Sequence, residues 1–227
     1  MKKKVFLTLL VVCLSYWFGA SANPENPMSI SILELEGQVR LQRDIPRWQF
    51  WKYSPLSLGD HLIEGDRIQT MGQANLLLEF PDNSLVWIGP NSYFVVKEVT
   101  EGKNSLYMGR GTLGARIIRL IEGIINFEVE TPSAVAAVRG TEFFLRVDRG
   151  KTIVTVIEGL VLFIAEGEEI LLGPGETSQV IKGYTPSESL WLTDDTHYFS
   201  SEDNSSGMPD WVREKLRKKN PDHPVAN

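Results

Sequence analysis

Glu142-Phe143-Phe144-Leu145-Arg146-Val147, then Asp148-Arg149-Gly150-Lys151, then Thr152-Ile153-Val154-Thr155-Val156-Ile157 is the stretch that decides the fold. Phe143, Leu145 and Val147 fall on one side, opposite Glu142, Arg146 and Asp148, which is the period of a strand with one face in a core. Asp148 to Lys151 carries turn chemistry, and the β-branched run after it supplies the returning arm. The stretch predicts a hairpin.

Working outward, Gln73-Ala74-Asn75-Leu76-Leu77-Leu78-Glu79-Phe80, the turn Pro81-Asp82-Asn83-Ser84 and Leu85-Val86-Trp87-Ile88 predict a second hairpin. Leu160-Val161-Leu162-Phe163-Ile164 is apolar at every position, which predicts a strand covered on both faces. From Met28 to about Tyr184 the texture stays the same, short apolar runs broken by Gly, Pro, Asp and Asn, so the fold class is all-β. A stack of sheets and a β-solenoid of stacked coils both supply two-sided cover, and both stand as expectations. An apolar-Glu-Gly unit recurs at Leu35-Glu36-Gly37, Ile63-Glu64-Gly65, Ile121-Glu122-Gly123 and Ile157-Glu158-Gly159. It marks either the corners of quasi-repeated coils or ordinary β-turns.

At the N-terminus Lys2, Lys3 and Lys4 precede an uncharged run from Val5 to Phe18, and Ala20-Ser21-Ala22 offers the small side chains of a processing site. The expected organisation is a signal peptide at 1–22, an all-β domain at 28–184, an acidic, serine-rich linker at 185–207 and a short C-terminal α-helix at 208–220. In that helix Pro209, Asp210 and Glu214 suit the start and Lys215, Arg217, Lys218 and Lys219 suit the end, with Trp211, Val212 and Leu216 as a narrow apolar stripe. Cleavage after Ala22 gives a periplasmic or secreted protein beginning at Asn23, with no integral membrane span left.

The one cysteine, Cys13, departs with the signal, so the exported chain has no disulfide and depends on its core. The formal charge is −6, and losing the three signal lysines leaves 20 basic against 29 acidic residues. Such a surface repels phosphate backbones and argues against nucleic-acid binding. His61, His197 and His223 lie far apart, and no nucleophile, metal-ligand or phosphate-loop motif occurs. Glu168-Glu169 and Asp194-Asp195 read as solvated acids rather than a glycosidic pair. No catalytic residue, metal ligand or cofactor is assigned, and the chain is expected not to be an enzyme.

Arg47-Trp48-Gln49-Phe50-Trp51-Lys52-Tyr53 packs four aromatics beside two cations. Trp48, Phe50, Trp51 and Tyr53 are the candidate contact residues, suited to stacking on sugar rings or anchoring a protein. A loop folded back over a sheet edge has the same composition, and both readings stand.

The run from Phe127 to Phe143, with Thr131-Pro132, the small residues Ser133, Ala134, Ala136 and Ala137, and Val138-Arg139-Gly140-Thr141, resembles the central signature of the FecR domain family. Further landmarks are Gly65-Asp66-Arg67-Ile68-Gln69-Thr70, Asp82-Asn83-Ser84-Leu85, Gly89-Pro90-Asn91-Ser92, Glu158-Gly159 and Gly173-Pro174-Gly175-Glu176, so that the resemblance covers about Ile32 to Val180. It implies an all-β extracytoplasmic module of the kind found in regulators of iron-uptake signalling. Thr131, Pro132, Arg139, Gly140 and Thr141 read as structural. Arg139 is expected to be partly buried and to clamp carbonyls or a nearby glutamate, with anion binding as the alternative.

Only Met1 to Lys4 precede the apolar run, which leaves no segment for holding a sigma factor inside the cell. The expected function is therefore that of an exported binding or scaffold module for an extracytoplasmic protein or envelope polysaccharide. An accessory role in sigma/anti-sigma signalling and a polysaccharide hydrolase are the alternatives.

Overall fold

The computed structural model describes residues 28–43, 52–118 and 125–191. The signal segment, most of the aromatic run and the C-terminal helix of the sequence reading lie outside them. In chain order the described residues form β1 (Ile30–Glu36), β2 (Val39–Gln42), β3 (Ser54–Pro55), β4 (His61–Leu62), β5 (Arg67–Thr70), β6 (Asn75–Glu79), β7 (Leu85–Ile88), β8 (Tyr93–Val99), β9 (Asn104–Arg116), β10 (Phe127–Glu130), β11 (Val135–Val138), β12 (Glu142–Asp148), β13 (Lys151–Glu158), β14 (Val161–Ala165), β15 (Glu168–Leu172), β16 (Glu176–Ile181) and β17 (Leu190–Trp191). Every described element is a strand.

These strands make two layers joined through β9. Sheet I runs β4-β1-β6-β7-β9-β12-β13-β16-β17, antiparallel throughout. Sheet II runs β3-β2-β5-β8-β9-β10-β11-β14-β15, antiparallel except for the β9–β10 pair. Both predicted hairpins are present as β6–β7 and β12–β13, the second closed by Asp148 opposite Lys151. Of the two architectures open at the sequence level, the strand order describes stacked sheets. Antiparallel hairpins alternate between the layers, whereas a solenoid lays successive coils parallel.

The cross-strand register explains the core. Leu76, Ile88, Leu113, Leu145 and Val154 form one continuous inward row across sheet I. Facing them from sheet II are Ile68, Phe94, Leu106, Met108, Phe127, Val129, Val138, Val161 and Phe163, and all belong to a single buried cluster. At one end Phe80 meets Phe127 edge to face at 5.1 Å between centroids. Beside that pair the Asp82 carboxylate, buried, accepts from the amides of Asn104 at 3.2 Å and Asn126 at 3.4 Å and from the backbone N–H of Ser84 at 2.9 Å. Several donors on one buried charge is what such burial requires.

The apolar-Glu-Gly unit now has a location. Gly37 leads from β1 to β2, Gly65 from β4 to β5 and Gly159 from β13 to β14, each a passage from sheet I to sheet II, with φ of 71°, 90° and 85°. Gly65 sits in an ordinary β-turn, closed by the Asp66 N–H on the Ile63 carbonyl at 3.1 Å, and the unit at Ile121-Glu122-Gly123 lies outside the described residues. The hairpins β12–β13 and β14–β15 instead turn at Arg149-Gly150 and Glu166-Gly167, where both residues have positive φ.

Strand β9 serves both layers, and its inward parity changes along the way. Leu106 and Met108 face the core from sheet II, while Leu113 and Ala115 face it from sheet I. The change falls at Gly109-Arg110-Gly111, next to a register shift against Tyr93 and Phe94. This extra residue is a β-bulge. Gly111 there has a φ of 108° and lies against Ser92.

Two sequence expectations change. Val161 and Phe163 are buried, but Leu162 and Ile164 are only half-buried, so β14 is not covered equally on both faces. Its all-apolar pattern marks a layer face with exposed Leu171 beside it on β15. The stretch read as linker is also attached at its beginning. Ser187 bonds β16 through the Gln179 N–H and the Ser178 hydroxyl, and β17 pairs with Glu176 and Thr177.

Candidate binding face

The outward face of sheet II gathers the groups most suited to recognition. Pairing puts Arg40 opposite Gln69 and Gln69 opposite Tyr93, and puts Arg67 opposite Val95 and Val95 opposite Tyr107. Their inward neighbours Ile68, Phe94, Leu106 and Met108 are fully buried, so period-2 alternation turns the polar and aromatic set outward. Arg110 follows at the bulge, exposed and opposite Tyr93. Tyr53, just before β3, is 39% exposed and close enough to act on the Tyr93 hydroxyl.

Gly109 is the pivot of this arrangement. A Cβ built there meets Tyr93 Cδ1 at 2.8 Å and Tyr107 Cε1 at 3.3 Å. Both rings therefore close over bare backbone, and their half-buried faces make an aromatic floor on the sheet. Burial raises the Tyr93 pKa above the ordinary 10.0; Arg67 opposes the rise, and Tyr53 and Tyr107 add to it. Tyr93 is a neutral hydroxyl donor at any ordinary pH.

The surroundings differ in charge. Arg40, Arg67 and Arg110 form no ion pair with the described residues. Farther along the same face, Lys97 lies 3.9 Å from Glu130, and Lys103 lies 3.6 Å from Glu98 and 3.5 Å from Glu128. Glu128 chiefly holds the Lys103 ammonium above its ordinary range, against desolvation, and Glu98 adds to the rise. Those cations are paired with carboxylates, whereas Arg67 in the tyrosine zone bonds the Tyr93 hydroxyl.

Beneath the face a buried carboxylate fixes the strand ends. Asp66, 1% exposed, receives Arg43 Nε at 2.7 Å and Nη2 at 2.5 Å together with the Ile63 N–H at 2.9 Å. Arg43 also donates to the His61 carbonyl at 2.7 Å. This fork ties the end of β2 to the start of β5, and Arg116 Nε to the Glu142 carboxylate at 3.1 Å is its counterpart in sheet I.

Of the sequence-selected contact residues, the structure brings Tyr53 to this face, whereas Trp48, Phe50 and Trp51 lie outside the described residues. The signature residues sit elsewhere and work as connectors. Thr131 Oγ1 caps the β10–β11 turn, accepting the Ala134 N–H at 2.9 Å, and lies 2.7 Å from Thr152 Oγ1 on β13, so it links the two layers. Pro132 follows in the same turn. Gly140, with a φ of 59°, carries the chain from β11 to β12, and Thr141 Oγ1 donates to the Leu160 carbonyl at 2.8 Å, joining that corner to the β13–β14 corner. Arg139 is half-buried as expected, yet its guanidinium has no hydrogen-bond or ion-pair partner among the described residues. The arginine clamps are Arg43 and Arg116 instead, because those two reach buried carboxylates.

Tyr93, Tyr107 and Arg67 were not singled out from sequence. They lie on three strands, and only the register assembles them. The available signal was the alternation in Tyr93-Phe94-Val95-Val96 and Leu106-Tyr107-Met108, which sets each tyrosine outward.

A two-layer, all-β module with a polar aromatic face and buried arginine–carboxylate ties is thus the class defined by fold and face. Residues 66–162 match the family described as FecR protein. That match supports a relation to cell-surface signalling. Two crystal structures of a putative anti-sigma factor from Parabacteroides distasonis ATCC 8503 are similar over 60% of this chain, each with a TM-score of 0.49 and 21% identity. The chain covers 63% and 62% of those two chains, under two thirds of their length. No curated protein matches the sequence.

Proposed function

We propose that this chain is an exported, non-enzymatic module that binds a component of the cell envelope through the outward face of sheet II. The observation that carries the reading is the Tyr93–Tyr107 floor over Gly109, bordered by Tyr53 and by Arg67, which has no ion-pair partner among the described residues. Neutral aromatic hydroxyls beside a guanidinium give apolar contact area and directional donors without any group activated for bond cleavage. The signal segment at 1–22 supports a periplasmic or secreted location, and the net charge of −6 disfavours nucleic acid as the partner.

Retention of the purified mature chain on isolated envelopes tests the reading. The wild type is expected to sediment with them, and a Tyr93→Ala, Tyr107→Ala double variant is expected to stay in solution. Equal retention of the two proteins overturns it. Mass spectrometry of the exported chain tests the address, with a mature start at Asn23 expected and an intact Met1 opposing it.

The FecR match favours one second reading, an accessory of cell-surface signalling. Co-purification of a sigma factor or its membrane receptor with the native chain supports that role over a free binding module.

A further inference from the structure

We propose that the ligand of the tyrosine face is a carboxylate-bearing polysaccharide, a polyuronate-like chain. This rests on the reading of sheet II as the binding face and names the chemistry that it takes.

Three observations point the same way. The first is shape. Tyr93 and Tyr107 are set in the middle of a sheet, on β8 and β9, with their rings closed over Gly109. A floor of this kind receives the C–H-rich face of a sugar ring. A peptide recognised by a sheet is taken up at an edge, where strand hydrogen bonds are free, and β8 and β9 are paired on both sides.

The second is charge. The chain is acidic overall, at −6, yet Arg40, Arg67 and Arg110 surround the floor. No acid occupies an outward position of β2 or β5, or of β8 at Tyr93 and Val95. The nearest carboxylate in register is Glu130 opposite Tyr107, and Lys97 lies 3.9 Å from it. Guanidinium groups without acidic partners are matched by carboxylates on the ligand, which they bind in a forked geometry. A neutral glycan leaves their charge unmatched.

The third is the polar complement. Gln69 lies between Arg40 and Tyr93 in the register. Its amide and the tyrosine hydroxyls both donate and accept, as sugar hydroxyls do. Arginines on separate strands on either side of an aromatic floor suit a ligand whose charges recur along its length.

The test is calorimetric titration of the full mature chain with three probes: an oligogalacturonate, the same oligomer as its methyl ester, and polyglutamate. The oligogalacturonate is expected to bind, and esterification to weaken it by roughly tenfold as the forked contacts are lost. Arg67→Gln is expected to cost about as much, and added salt to weaken binding further. Gly109→Ala, which displaces the Tyr93 ring without changing charge, is expected to weaken binding by at least about tenfold while circular dichroism stays native.

Equal affinity for acid and ester overturns the inference, as does tighter binding of polyglutamate or no binding of the oligogalacturonate. If envelope retention still requires Tyr93 and Tyr107 while the uronate fails, this inference falls alone. Retention independent of those tyrosines removes the binding face itself.

Discussion

Replacing Gly159 and Gly167 separately with alanine separates backbone conformation from close approach. The two glycines have nearly the same φ, 85° and 80°, so a side chain at either meets the same left-handed backbone. That costs roughly 1 to 2 kcal/mol. Their surroundings differ: at 167 an added Cβ has nothing within 4 Å, whereas at 159 it meets the Gly140 carbonyl oxygen at 2.7 Å, Thr141 Oγ1 at 2.9 Å and Thr141 Cα at 3.0 Å. Two of those atoms are backbone, and a backbone shift of this kind adds about 1 to 3 kcal/mol. Urea unfolding of the two variants, followed by far-UV circular dichroism, reads the difference. With a slope of about 2 kcal/mol per molar, an extra 2 kcal/mol places the Gly159→Ala midpoint about 1 M below that of Gly167→Ala. Coincident midpoints refute the argument that the corner after β13 is locked against the signature corner after β11.

Other perturbations follow the same contacts. Asp66→Ala removes the acceptor of Arg43 and of the Ile63 N–H and is expected to cost about 2 to 3 kcal/mol, less than a fully buried pair because Arg43 can rehydrate. Arg43→Ala in the same background is expected to cost little more, which a double-mutant cycle checks. Thr131→Val is expected to lose about 1 to 2 kcal/mol in chemical denaturation while Thr131→Ser retains most of it, since the hydroxyl is the bonded group. For Tyr93, the folded protein holds the phenolic proton more tightly than the unfolded chain, whose value is 10.0. Its contribution to stability is full below that pH and declines as pH rises past it, and Tyr93→Phe is expected to flatten the decline.

Much of the fold was legible in the sequence because alternation survives in single strands. Phe143, Leu145 and Val147 face the core as their spacing requires, and both hairpins appear where turn residues interrupt apolar runs. The all-apolar run from Leu160 to Ile164 misled, because its outward residues Leu162 and Ile164 are half-exposed and burial on one face does not force polarity on the other. The apolar-Glu-Gly units were visible as a pattern but not as passages between layers, since a positive φ looks alike in a hairpin and in a crossing. The binding face was the least legible part. Tyr53, Arg67, Tyr93 and Tyr107 become neighbours only through pairing over some fifty positions, and the composition of the 47–53 run drew attention to one end of the face alone. For the arginines, sequence could identify a residue that needed acceptors but not which one would reach them: Arg139 sits in the signature, and the buried carboxylates are held by Arg43 and Arg116.

The bulge in β9 has a consequence for how the chain tolerates changes of length. Tyr107 faces outward on one layer while Leu113 faces inward on the other because one surplus residue separates the two halves of the strand. Deleting a single residue between Met108 and Thr112 brings the halves into phase. Simple alternation then keeps Leu106, Met108, Leu113 and Ala115 inward and Tyr107 outward, whereas a deletion inside either half turns over the residues beyond it. The surplus residue thus sets the phase between the recognition surface and the opposite sheet, and a frame-preserving deletion within either half, at Tyr107 or at Gly114, is expected to abolish folding where one at the bulge is absorbed. Insertions compatible with the fold belong at the hairpin tips, away from this thirteen-residue strand.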